Sequence, residues 1–206
     1  MRTLLFATTN PHKVAEVRAL LAPLGFEVTS LDALPTLPPE PVEDADTFAD
    51  NARLKARAYA KSTGLPCLAE DSGLEVDGLG GAPGVHSARY SGTGGPRAER
   101  DRANNEKLLR ALSAVPRERR TARFVCAMCL AEPDGTVVAE SSGTYDGLVA
   151  DEPRGENGFG YDPLLYLPDV GRTSAELSSD EKNARSHRGK AARALAVVLR
   201  ALSNRG

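Results

Sequence analysis

Four apolar residues, Leu4-Leu5-Phe6-Ala7, run directly into the polar turn Thr8-Thr9-Asn10-Pro11, and the next apolar side chains, Val14, Val17, Leu21 and Leu24, return at helical spacing. An apolar run stopped by a polar turn predicts a buried strand, and the change to a 3.6-residue period predicts a helix behind it. Asn10 can cap that helix, Pro11 suits its first turn because the missing N–H would have no partner there, and Gly25 ends it. Residues 26–30 read as a second strand.

The same alternation continues. Residues 34–41 are proline-rich and form an ordered connection, after which Asp46 or Thr47 can cap a helix reaching about Ser62. Residues 66–70 predict a third strand. Residues 73–95 hold too much glycine and proline for a helix, apart from a short strand at 74–76, and the length of the stretch suggests a functional loop. A helix is predicted over 97–114, and a hairpin pairs 121–132 with 136–142 across the turn Pro133-Asp134-Gly135. A glycine-rich turn at 155–163 and an amphipathic helix at 190–202 complete the chain. Strands alternating with helices, plus one long hairpin, indicate an α/β fold with a mixed sheet.

With 206 residues, 41% of them hydrophobic, the chain can form one large domain or two joined lobes. A chain of this size buries roughly 70% of the surface its unfolded form exposes, so it needs no disulfide or structural zinc. Three cysteines, an odd number, suggest free thiols and a reducing compartment, with the cytoplasm as the expected location. No export signal is visible, and no segment approaches the ~20 apolar residues of a membrane helix. A net charge of −2 offers no general attraction for nucleic acid. The stretch from Lys182 onward carries only basic ionisable groups and reads as a helix with a solvated basic face.

Several residues could carry chemistry. A strand feeding a helix N-terminus through Thr8, Thr9 and Asn10, with Lys13 in the first turn, is a place where unpaired backbone N–H groups can meet an anion, although many such turns bind nothing. The P-loop spacing is absent. Lys55 shares one helical face with Phe48, Ala52 and Tyr59, so its charge is aimed inward; it either snorkels outward or meets an anion in a cleft. Glu43, Glu70 and Asp71 are either solvated acids at loop ends or members of one site. Two such charges at ~5 Å would repel by about 3 kcal/mol at an effective dielectric near 20, and a divalent cation would offset that. Lys182 and Ser186-His187-Arg188 could hold phosphate or a base carbonyl, and the turn Phe159-Gly160-Tyr161-Asp162 could stack on a base, though each is commonplace alone. Cys126 and Cys129, three apart on a predicted strand, point to opposite faces and read as buried thiols, not as a metal pair. Asp71-Ser72-Gly73 lacks the frame of a nucleophile elbow.

Taken in order, these segments resemble the inosine triphosphate pyrophosphatase family, the non-standard purine NTP pyrophosphatases. The likeness rests on residues 7–13 (ATTNPHK), Glu43 with Thr47-Phe48 and Asn51-Ala52, Asp71-Ser72-Gly73-Leu74, residues 79–85 and 87–92, Gly158 to Pro163 (GFGYDP), and Ser186-His187-Arg188-Gly189. It implies an elongated mixed sheet with helices forming two lobes of a single domain, 1–206, around a central nucleotide cleft, and a homodimer. It further implies a Mg²⁺-dependent enzyme that cleaves ITP, dITP or XTP to the monophosphate and pyrophosphate. In that resemblance Thr8, Thr9, Asn10 and Lys13 hold the triphosphate, with Lys55 nearby; Glu43, Asp71 and Glu70 serve the metal, and Asp71 accepts the proton of the attacking water. Ser72, Phe159, Gly160, Tyr161, Asp162, Lys182, His187 and Arg188 bind the nucleotide, with Phe159 stacking on the base. Thr9 stands where many members have glycine, and Glu70 where many have aspartate. A pyrimidine-directed pyrophosphatase of the related septum-inhibitor type and a non-catalytic nucleotide sensor are the competing readings.

Overall fold

The strand-to-helix opening forms as the sequence predicts. In the computed structural model, which describes residues 2–203, β1 (Arg2–Phe6) leads to α1 (Pro11–Leu21), whose cap is Asn10: its Oδ1 accepts the His12 N–H at 3.1 Å. A 3₁₀ turn at Ala22–Leu24 continues the helix, and Gly25, at φ 87°, reverses the chain into β2 (Phe26–Ser30). A parallel β1–β2 pair needs a crossover, and α1 supplies it. The remaining elements are α2 (Phe48–Thr63), β3 (Cys67–Val76), α3 (Arg97–Ala111), β4 (Thr121–Ala131), β5 (Val137–Val149), β6 (Leu165–Leu167), β7 (Arg172–Thr173), α4 (Ser179–Arg185) and α5 (His187–Ser203).

The strands hydrogen-bond in the order β2-β1-β3-β4-β5-β6-β7. β1 is parallel to both β2 and β3, whereas β5–β6 and β6–β7 are antiparallel, which makes the sheet mixed. The α/β fold expected from the sequence is therefore the fold observed.

The chain divides into two compact units. One holds the residues up to Asp71, Cys126–Gly143, and those from His187 onward; the other holds Ser72–Val125 and Thr144–Ser186. The first unit buries alternate residues of its strands, Leu4 and Phe6, Phe26 and Val28, Cys126, Met128 and Leu130, in one apolar cluster. Period-2 alternation puts each set on a single sheet face. Val14, Val17 and Leu21 of α1 and Ala191, Leu195 and Leu199 of α5 cover that face. α5 approaches β5 closely: a Cβ at Gly143 would collide with the His187 carbonyl, and Ser141 Oγ donates to the Ala191 carbonyl at 2.9 Å. The second unit has its own core, in which Leu108 and Leu112 of α3 meet Leu74 and Val76 of β3 and Phe124 of β4.

Three expectations are corrected. Residues 66–70 and 74–76 are parts of one ten-residue strand, β3, with Asp71-Ser72-Gly73 in its interior; backbone pairing with neighbouring strands overrides the weak local propensity of glycine. β5 continues to Val149, well beyond residue 142, and β6, β7 and α4 have no counterpart in the sequence reading. α5 begins at His187, one turn earlier than residue 190. The glycine-rich stretch 77–95 is ordered by two 3₁₀ turns, Asp77–Leu79 and Gly84–Arg89, the second tied down where Ser87 Oγ accepts the Leu74 N–H at 2.9 Å.

Candidate active site

Adjacent strand residues point to opposite faces, and this decides where the two acidic neighbours of β3 go. Glu70 meets α1 and α5: Arg188 Nε donates to its Oε2 at 2.6 Å and Nη2 to its Oε1 at 2.9 Å, while Lys13 Nζ lies 2.8 Å from Oε1. Asp71 meets α2: Lys55 Nζ donates to its Oδ1 at 3.0 Å and Asn51 Nδ2 to its Oδ2 at 3.1 Å. Lys55 also donates to Glu43 Oε2 at 3.0 Å, so one buried ammonium joins two carboxylates that are 28 residues apart in sequence.

The inward face of α2 makes this possible. Thr47 caps the helix by accepting the Asp50 N–H, and Phe48, Asn51, Ala52, Lys55, Ala56 and Tyr59 are its buried residues. Lys55 does not snorkel; only 7% of it is exposed. Asn51, one turn before Lys55, is a residue of this cluster that sequence reasoning did not single out. Besides holding Asp71 it accepts the Ala45 N–H and donates to the Ala45 carbonyl, and so ties the acidic segment after Glu43 to the helix. Its position four residues from an inward lysine was the available signal.

Electrostatics follow from these partners. Burial opposes the Lys55 charge, but Asp71 and Glu43 outweigh it and hold the ammonium above its ordinary pKa. Burial also disfavours ionised Glu70, yet the Arg188 guanidinium and Lys13 hold its carboxyl well below the usual range. Asp71 behaves oppositely: burial lifts its pKa, Lys55 only partly counters that, and Glu43 adds to the rise. Lys55, Glu43 and Asp71 thus form one charged cluster, and Lys13, paired with Glu70, lowers the Asp71 pKa slightly. A general base gains from a pKa raised toward the operating pH, and burial moves the Asp71 carboxyl in that direction.

The polyphosphate candidates lie at the start of α1. Thr8 Oγ1 accepts the Asn10 N–H at 3.1 Å, Thr9 is exposed, and Asn10 Nδ2 is buried without a hydrogen-bond partner. The unpartnered Asn10 amide thus stands at the N-terminus of α1, with Lys13, partly exposed and paired with Glu70, in the first turn.

Two of the expected residues pair with each other in the interior. Both Glu70 oxygens are hydrogen-bonded, Oε2 also receiving the Cys126 thiol at 3.3 Å. Arg188 is 1% exposed and bonds to Glu70 and Glu16. Glu16, one turn after Lys13, is another member that sequence reasoning passed over. His187 is buried at the start of α5.

In the second unit the turn at 158–162 is built around Asp162. Its Oδ2 accepts the Phe159 N–H at 2.9 Å and Lys182 Nζ at 2.7 Å, and its Oδ1 accepts Ser174 Oγ at 2.8 Å. Gly158, at φ 78°, has no room for a Cβ because the Asp162 carboxylate fills that place. Tyr161 is buried, donates to the Ser87 carbonyl at 2.8 Å, and is pushed well up in pKa by burial. Tyr161 and Asp162 therefore shape the turn. Phe159 stays partly exposed, with Lys182 Nζ 5.0 Å from its ring centre. Ser72 is half-buried in β3, and Gly160 is held by α3 through its N–H and its carbonyl.

Known proteins resemble this chain in sequence and in fold. The pattern of the Ham1 family matches residues 4–198. A dITP/XTP pyrophosphatase of Nitratidesulfovibrio vulgaris is 53% identical over 94% of this chain and 93% of its own length. One from Geobacillus kaustophilus is 51% identical over 93% and 91%. The solved structure of a HAM1 protein from Coxiella burnetii superposes with a TM-score of 0.85 at 41% identity, covering 98% of this chain and all of that one. By sequence along nearly its whole length and by fold, the chain belongs to the Ham1 family.

Proposed function

We propose that the chain hydrolyses 6-oxopurine nucleoside triphosphates, ITP, dITP and XTP, to the nucleoside monophosphate and pyrophosphate, with Mg²⁺ as the cation. The observation that carries this reading is the buried ammonium of Lys55 shared by Glu43 and Asp71. The names of the relatives above, dITP/XTP pyrophosphatases, point to the same substrates.

The donor set fits Mg²⁺. That ion commonly takes one or two carboxylates and completes its shell with water and substrate phosphates. Glu43 and Asp71 supply hard oxygens, with Glu70 next to Asp71 in β3 as a supporting carboxylate, and among the described residues no group of three or more His, Cys, Asp or Glu gathers as a cage. When bound, the metal would neutralise phosphate charge and lower the pKa of water. Asp71 receives the proton of the attacking water, and Asn51 and Lys55 fix its carboxylate in orientation. A positioned base of this kind contributes about 10²- to 10⁴-fold. Lys13, the first N–H groups of α1 and the unpartnered Asn10 Nδ2 hold the polyphosphate. Phe159 supplies a ring for the base, with Ser72, Lys182 and His187 assigned to the nucleotide by the family resemblance. The reading includes a homodimer in the cytoplasm, and one domain with two lobes. Among the described residues no helix is long and apolar enough to cross a membrane.

The test is a panel of triphosphates with Mg²⁺ and with EDTA. Pyrophosphate release from ITP and XTP that far exceeds release from ATP, and stops with EDTA, is expected. Release of orthophosphate, or preference for a pyrimidine, would remove this reading in favour of another phosphatase class.

A further inference from the structure

One face of α3 grips the turn that carries Phe159. Arg97, Asp101 and Asn105 recur every four residues and so share that face. Asp101 Oδ2 accepts the Gly160 N–H at 2.9 Å, and Asn105 Nδ2 donates to the Gly160 carbonyl at 3.0 Å, so both polar groups of this glycine are held from one helix. Arg97 stands at the end of the same row with its guanidinium carbon 4.5 Å from the Phe159 ring centre. Its Nε is buried without a hydrogen-bond partner, 3.5 Å from Asp101 Oδ2 and so beyond a good bond. The guanidinium is therefore held mainly by the ring and by the Asp101 charge.

Resting on the function proposed above, we propose that the Arg97–Asp101–Asn105 face of α3 is a positioning device for base recognition. Asp101 and Asn105 fix the peptide plane next to Phe159, and Arg97 sets the orientation of its ring. A glycine-rich turn has many backbone conformations, so an aromatic ring on it stacks productively only if the turn and the ring are held before the base arrives. Arg97 is a positioning residue: it acts through Phe159 and touches no reacting atom. None of the three residues stood out in the sequence, because each reads as an ordinary charged or polar helix position.

The test uses the full-length protein and separates the base end of the substrate from its phosphate end. Wild type, Arg97→Ala, Arg97→Lys, Asp101→Asn and, as a control on an exposed part of the same helix, Arg102→Ala are compared for hydrolysis of ITP and for inhibition by inorganic tripolyphosphate. Arg97→Ala is expected to raise KM for ITP about three- to thirtyfold, the range of a partly exposed to a desolvated cation–π contact, with a smaller change in kcat. Tripolyphosphate inhibition should stay as in wild type, because that probe has no base. Arg97→Lys should recover part of the lost affinity, Asp101→Asn should follow Arg97→Ala, and Arg102→Ala should match wild type. An Arg97→Ala enzyme with unchanged or lower KM, or one whose tripolyphosphate inhibition weakens in parallel, overturns the inference while leaving the pyrophosphatase reading intact. Failure of the wild type to release pyrophosphate from ITP would instead overturn that reading.

Discussion

Arg188 and Glu70 form a bidentate ion pair in the interior of the first unit, joined by two hydrogen bonds of 2.6 and 2.9 Å, with each side chain 1% exposed. The pair is 118 residues apart in sequence, links α5 to β3, and carries Lys13 on the same carboxylate. It therefore holds the fold and sets the position of a candidate phosphate ligand at once. Removing one partner of a buried pair leaves an uncompensated charge, so Glu70→Gln should destabilise the protein by about 3–5 kcal/mol. Urea unfolding monitored by circular dichroism measures this, and an unchanged midpoint would show that the pair contributes no net stability.

The pH dependence of folding follows from the same carboxyl. Glu70 is held well below its ordinary value in the folded state, chiefly because Arg188 and Lys13 outweigh burial. The unfolded chain binds its proton near pH 4.3, so the contribution of Glu70 is complete above that pH and is lost as pH falls toward the folded value. Stability should decline below about pH 5. In Glu70→Gln the slope between pH 5 and pH 3 should be shallower, which thermal melts across that window can read.

Asp71 should show the reverse linkage. Its folded pKa is raised, mainly by burial, so ionisation at neutral pH opposes folding. Asp71→Asn is expected to melt no lower than wild type in metal-free buffer at pH 7 while turnover falls by about 10²-fold or more. Full activity in this variant would falsify the assignment of Asp71 as proton acceptor.

Lys13→Ala should act on binding more than on the chemical step. Lys13 stands at the start of α1, partly exposed, where it can meet a phosphate without leaving Glu70 unpaired, since Arg188 remains. A rise in KM of about tenfold, corresponding to the loss of one charge-assisted bond, is expected in steady-state assays. Unchanged KM and kcat would place Lys13 outside the site.

The three thiols should be inert in the native state. Burial pushes Cys67 up to about 12 and Cys129 to about 11, and Cys126 lies well above its ordinary value through burial and the nearby Glu70. Since the thiolate is the reactive form, an aromatic disulfide reagent at pH 8 should titrate none of them until denaturant is added. Rapid reaction of a thiol in the folded protein would contradict this burial.

Local signals in the chain determined the strand–turn–helix opening with its Asn10 cap, the α2 helix after Thr47, the hairpin at Pro133-Asp134-Gly135, and the inward aim of Lys55. Those features depend on hydrophobic period, caps and turn residues, which act over a few positions. Tertiary structure alone decided that Glu70 and Asp71 part company, one to Arg188 and Lys13, the other to Lys55 and Asn51. The reason is that their stretch is strand interior and not a loop end, and strand pairing depends on neighbours far along the chain. It also decided that Arg188, Tyr161 and Asp162 turn inward, and that α3 reaches Gly160. A charge or a polar amide carries the same letter whether it is solvated, paired or aimed at a ligand, and only its three-dimensional partners distinguish these states.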